Sequence, residues 1–143
     1  MKRLLKVLLA TMMAVTLVAC GGGSDNKAEV VNGETGEVEL LSPQDLMDIC
    51  DENQARFDKY YLHSPITFVD KVESVDLRVS RNGGNSCDEI IFESGWILQL
   101  KQGKYDLSSI VKGDTYQVES EVWTCSFCAL VRSYDNTTFK KVD

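Results

Sequence analysis

Four of the five cysteines and the single histidine of this 143-residue chain have types and spacing that invite site chemistry. Cys125-Ser126-Phe127-Cys128 has the spacing of a local disulfide, a redox pair or half of a zinc site, and Cys50 and Cys87 complete the distal set. Reactive C-x-x-C pairs usually sit at a helix N-terminus, where the thiol pKa is depressed. Here the flanks, Val122-Trp123 and Ala129-Leu130-Val131, read as strand. Structural zinc sites favour two close pairs, and this chain offers one. In an oxidising compartment the four thiols read as disulfides, with three connectivities open. A Cys125–Cys128 bridge would staple a terminal hairpin. Alternatively, Cys50 pairs with Cys87 or another strand cysteine and pins a helix to the strands.

His63 follows Tyr60-Tyr61-Leu62, and no nearby Ser or Cys makes a nucleophile motif with it. The carboxylates are numerous but scattered. Asp48, Asp51 and Glu52 read as a solvated helix face, and Asp88, Glu89 and Glu93 lack the spacing of a calcium loop. No catalytic residue, metal or cofactor follows from these patterns. A non-enzymatic module is the expectation, with two rivals: a thiol-disulfide or stress-response protein using Cys125 and Cys128, and a cation or oligosaccharide binder using an acidic face.

The elements that would position these groups can be read coarsely. Ser42-Pro43-Gln44-Asp45 is a helix start, with a capping hydroxyl, a proline suited to the first turn and an acid at the positive end. Leu46, Ile49, Cys50, Asn53, Phe57 and Tyr60 recur at three- and four-residue steps, which predicts one amphipathic helix to about Tyr60. Ser64-Pro65 ends it. Ile66 to Val79 reads as a long strand whose apolar parity switches near Glu73-Ser74, the sign of a bulge. Cys87–Glu93 and Trp96–Lys101 form a hairpin around Ser94-Gly95. With Ile90, Phe92, Trp96 and Leu98 inward, Glu89, Ile91, Glu93, Ile97, Gln99 and Lys101 face outward. Thr115–Trp123 is a fourth strand with Tyr116, Val118 and Val122 on one face, and Ala129–Tyr134, extended toward Phe139, a fifth. The fold class expected is mainly β: a small five-stranded OB-like barrel behind one amphipathic α-helix. A small sandwich is the rival. Trp123 takes outward parity, so Trp123 with the turn residues Arg81 and Asn82 is the candidate binding face.

The N-terminus speaks to compartment. Lys2, Arg3 and Lys6 precede an apolar run from Val7 to Val18, the layout of a secretory signal and short for a membrane span. Leu17-Val18-Ala19-Cys20-Gly21 resembles the lipobox of bacterial lipoproteins. The resemblance implies residues 1–19 as a signal peptide and Cys20 as the lipid (palmitate-type acyl) attachment site. Two or three acyl chains hold stably where one does not. Gly21, rather than Asp, after the cysteine implies by the same analogy the outer membrane facing the periplasm. Residues 20–40, GGGSDNKAEVVNGETGEVEL after Cys20, read as a flexible tether, and 41–143 as the folded domain. Three of the 15 basic residues and none of the 22 acidic ones lie in the signal, so the remainder has a balance of −10. That charge excludes nucleic-acid binding through a basic groove and leaves attachment to the membrane to the lipid.

Asp51-Glu52-Asn53-Gln54-Ala55-Arg56-Phe57-Asp58-Lys59-Tyr60, then Ser64-Pro65-Ile66 and Val72-Glu73-Ser74-Val75, resembles the opening of the tRNA-anticodon-like OB-fold family. Leu107-Ser108-Ser109-Ile110-Val111-Lys112-Gly113-Asp114 with Val118 is similar to that family's later element. Asp70 stands where the family usually has Gly, as does Ser120. The resemblance implies an OB-type barrel in an envelope-located protein. It supplies no catalytic residue, and fold does not confer function. The partner expected is an envelope protein, peptide or small envelope component.

Overall fold

A computed structural model describes residues 27–80, 86–124, 130–133 and 137–143. The elements run β1 (Ala28–Val31), β2 (Val38–Leu41), α1 (Pro43–Glu52), α2 (Gln54–Tyr60), β3 (Pro65–Val79), β4 (Cys87–Phe92), β5 (Ile97–Lys101), β6 (Thr115–Thr124), β7 (Leu130–Ser133) and β8 (Thr138–Val142). Among the described residues the protein is mainly β, with two short helices.

The helix start forms as its sequence dictates. The Ser42 hydroxyl accepts from the Asp45 N–H at 3.1 Å and the Asp45 carboxylate accepts from the Ser42 N–H at 2.8 Å, a reciprocal capping box. The single helix expected to Tyr60 is two helices. Asn53 is extended (φ −162°, ψ 93°) and its side chain accepts from the Arg56 N–H at 3.0 Å, so it closes α1 and caps α2. A short polar side chain that bonds the following main chain competes with the helix ladder, and here it wins. Leu46, Cys50 and Phe57 still share the core side, joined by Tyr61.

Residues 20–40 read as tether with a short strand around Glu37 to Leu41; that strand forms as β2, and β1, which pairs with β3 at Ile66 and Thr67, joins it in an antiparallel hairpin. Asn32 shapes its turn: the side-chain oxygen accepts from the Glu34 N–H at 2.8 Å, and its amide donates to Glu39 at 2.7 Å. Gly33 comes so close to the end of α2 that a Cβ would lie 3.0 Å from the Tyr60 carbonyl oxygen. These long-range contacts explain why local composition misled.

The strands pair in the order β2-β1-β3-β4-β5-β7-β6-β8, with a further β3–β6 pairing. All pairs are antiparallel except β5 with β7. β3 is divided along its length: residues 65–71 pair with β6 and residues 72–79 with β4. The register shifts between Val72 and Ser74, where the sequence parity switches, and again between Asp76 and Val79. The fifth strand is two segments. β7 and β8 follow each other along the same edge of β6. At the junction the Ser120 and Thr137 hydroxyls lie 2.7 Å apart.

Ile90, Phe92, Trp96 and Leu98 are fully buried, as expected. Phe68 stands edge-on to Phe92 (5.1 Å) and stacks on Trp96 (5.4 Å), which gives the core an aromatic centre. The other side of β4 and β5 is not the exposed acidic face expected. Glu89 is fully buried, Gln99 and Ile97 nearly so, and Gln99 donates to Glu89 at 2.7 Å. In the backbone register Gln99 stands opposite Glu89 and Arg132, and Arg132 opposite Glu121.

Candidate functional site

Two buried carboxylates first show what the acidic residues are for. Asp70, standing where the resembled family has Gly, accepts from the Ser94 N–H at 3.1 Å and from the Ser94 hydroxyl, and thereby holds the β4–β5 turn against β3. Asp88 accepts from the Arg78 N–H at 3.1 Å and from the Gly103 N–H at 2.9 Å. Both are structural: their oxygens meet main-chain donors at places where strands turn or bulge.

The thiols sort differently from the expectation. Cys50 on α1 is disulfide-bonded, to a partner outside the described residues. Cys87, expected among the bridging set, is a buried thiol whose Sγ lies 3.5 Å from the Val79 carbonyl oxygen and 3.8 Å from the Glu89 carboxylate. Its sulfur points into the β3–β4 pair, so the Cys50–Cys87 bridge is excluded. Cys125 and Cys128, together with Cys20, Arg81 and Asn82, lie outside the described residues. Among the described residues no group of three or more His, Cys, Asp or Glu side chains could hold a metal ion. No helix among them is long and apolar enough to cross a membrane.

What the fold brings together at the surface is Trp123, His63 and Glu121. The turn after α2 carries His63 in a left-handed conformation (φ 63°). Its N–H donates to the Val122 carbonyl at 2.8 Å, and the Val122 N–H donates to the Ser64 carbonyl at 2.9 Å. This two-way clamp sets the imidazole beside β6, edge-on to the Trp123 indole with ring centroids 5.1 Å apart. His63 Nδ1 lies 3.8 Å from a Glu121 oxygen, with both side chains about half exposed. Such a pair is weak in water and exists only when the ring is protonated, so it orients more than it stabilises. Trp123 is half-buried. The trio sets a half-buried indole beside a half-exposed imidazole and a half-exposed carboxylate acceptor. That can hold a flat or apolar ligand surface and accept hydrogen bonds from its donors. A nucleophile–base pair is not part of it.

Sequence reasoning singled out Trp123 by parity and set His63 aside as a solitary turn residue. It had no means of joining them, because 60 residues separate them and the β3–β6 pairing with the His63–Val122 clamp brings them together. Glu121 shares the strand parity of Trp123 and is exposed.

No family model matches the chain, and comparison with characterised proteins and with solved structures finds no match either.

Proposed function

We propose that this protein is a lipid-tethered, non-enzymatic binding module of the bacterial envelope, with its recognition surface centred on Trp123. The observation that carries the reading is the Trp123–His63–Glu121 trio: a half-buried indole set against an imidazole and a carboxylate where a main-chain clamp joins the His63 turn to β6. A large ring held at a surface in a fixed pose is what a binding anchor requires, since little entropy remains to be lost on contact.

The strand plan supports an OB-type barrel as the scaffold. Pairings run β3–β4–β5–β7–β6 and return from β6 to β3, the β5–β7 pair is parallel, and β3 bends at a bulge between its two partners. The lipobox-like Leu17-Val18-Ala19-Cys20-Gly21 supports anchoring through Cys20, with the outer membrane, facing the periplasm, as the site. A bridged Cys50 agrees with an oxidising compartment. The similarity to tRNA-anticodon-like domains carries no nucleic acid with it, because exposed Glu119 and Glu121 flank Trp123 on an acidic chain.

Envelope extract passed over the lipidated protein and over Trp123→Ala tests the reading. A component retained by the native protein and lost at least tenfold by the variant supports it. Equal retention by both refutes Trp123 as the anchor. The indole beside a carboxylate also suits the apolar face and hydroxyls of a sugar, so an oligosaccharide is the second reading. Titration with chitooligosaccharides, followed by fluorescence of Trp123 against a Trp123→Phe control, separates the two.

A further inference from the structure

The C-terminal arm of β3 borders a groove that neither the trio nor the strand plan uses. Its volume is about 400 Å³, and its apolar lining comes from Val75 and Leu77 on β3 and Tyr105 and Leu107 on the β5–β6 connection. Three observations converge there.

The first is an open strand edge. Beyond Lys71, β3 has β4 as its strand partner on one side only. On the other side Val72 is met by Gly113 and Asp114, at 2.8 and 2.9 Å. From Glu73 onward no main-chain hydrogen bond joins that edge to another segment among the described residues. The alternate N–H and C=O groups of such an edge are available to an added strand.

The second is apolar exposure. Leu77 is 64% exposed, the highest value among the large exposed hydrophobic side chains of the described residues, and it lines the groove beside half-buried Val75 and Tyr105.

The third is a cation held in an uncommon conformation. Arg78 has φ 57°, sparsely populated for a side chain of its size, at the second β3 register shift. The Asp88 carboxylate secures that conformation through the Arg78 N–H. Bulges re-aim side chains, and Arg78, which carries a guanidinium, lines the groove alongside Asp88 and Asp106. Among the described residues that guanidinium has no ion-pair partner. In a chain of net charge −7, a cation set beside exposed leucine and an open edge is a specific feature.

We infer that this groove binds an extended peptide segment by strand addition to the 73–79 edge of β3, with apolar side chains over Leu77 and Tyr105 and one carboxylate on Arg78. Main-chain pairing supplies affinity that does not depend on sequence. The Leu77 shelf and the Arg78 fork select apolar and acidic side chains respectively. Asp88 acts only as a positioning residue, because both of its oxygens are taken by main-chain N–H groups. The surface is separate from Trp123, so the failure of one assignment leaves the other intact.

The test uses the full chain in detergent micelles and a displayed library of random heptapeptides. Selection on the native protein is expected to enrich peptides with alternating apolar residues and one Asp or Glu. Arg78→Glu is expected to weaken a selected peptide at least tenfold and to switch the preference at that position to Lys or Arg. Leu77→Ser is expected to weaken it several-fold without changing the charge preference. Amide shifts on titrating the peptide should map to residues 73–78 and 103–108. Thermal unfolding of each variant serves as the folding control, and Arg78→Lys, which keeps the charge, should retain most binding. An unenriched library, enriched peptides indifferent to the Arg78→Glu reversal, or shifts that map elsewhere would overturn the inference.

Discussion

Removing the Asp70 carboxylate should cost the fold about 2–4 kcal/mol. Asp70 is 1% exposed on β3, and one of its oxygens receives both the main-chain N–H and the hydroxyl of Ser94. The other accepts from the Lys71 N–H at 2.7 Å. A hydrogen bond to a charged group contributes about 1.5–3 kcal/mol net, and a buried donor left unmet costs about 1–3 kcal/mol. Against this stands the relief of no longer desolvating a carboxylate, which brings the sum down to the stated range. Urea unfolding at neutral pH, followed by the emission of buried Trp96, reads the loss as a shift in midpoint at unchanged slope. A double-mutant cycle with Ser94→Ala isolates the pair, and its coupling should be about 1 kcal/mol or more. Asp70→Ala within about 0.5 kcal/mol of the native protein, or additive single changes, would refute the assignment of Asp70 as the tie of this turn.

Phe68→Ala, which removes the ring between Phe92 and Trp96, should cost about 3–5 kcal/mol in the same assay. Reduction of the Cys50 disulfide should cost about 2–4 kcal/mol, while alkylation of native protein should leave Cys87 unmodified until it unfolds. The Tyr61 phenol is held above its ordinary range, first by burial and then by its hydrogen bond to Glu39. The folded state therefore keeps a proton that the unfolded state releases above pH 10, so stability should fall as pH rises through 10 and upward. Tyr61→Phe should remove that part of the slope in a pH series of melting curves. Ser42→Ala should cost about 1 kcal/mol by breaking the capping box.

What was legible in the sequence was what local chemistry decides. Ser42, Pro43 and Asp45 announced the start of α1, and the parity of Ile90, Phe92, Trp96 and Leu98 announced the core face of the β4–β5 hairpin. The switch at Glu73-Ser74 announced the bulge that lets β3 serve two partners. What failed to show was what distant segments decide. Asn53 fell on the apolar repeat of a continuous helix, yet its amide chose the following main chain. The hairpin at 28–41 has the composition of a linker and is ordered by β3 and the end of α2. Glu89 and Gln99 alternate with apolar residues as solvent-facing side chains do, but they are buried and bond each other. The His63–Trp123 contact and the β3 groove depend on clamps between residues tens of positions apart, which no local pattern encodes.

Compartment decides what a bridged Cys50 and a half-buried tryptophan are for, and the mass of the protein isolated from its native cells tests compartment. The account predicts a chain beginning at residue 20, heavier than its polypeptide by a diacylglyceryl group and a further acyl chain. A chain that retains residues 1–19, or one cleaved there without acyl mass, would contradict it.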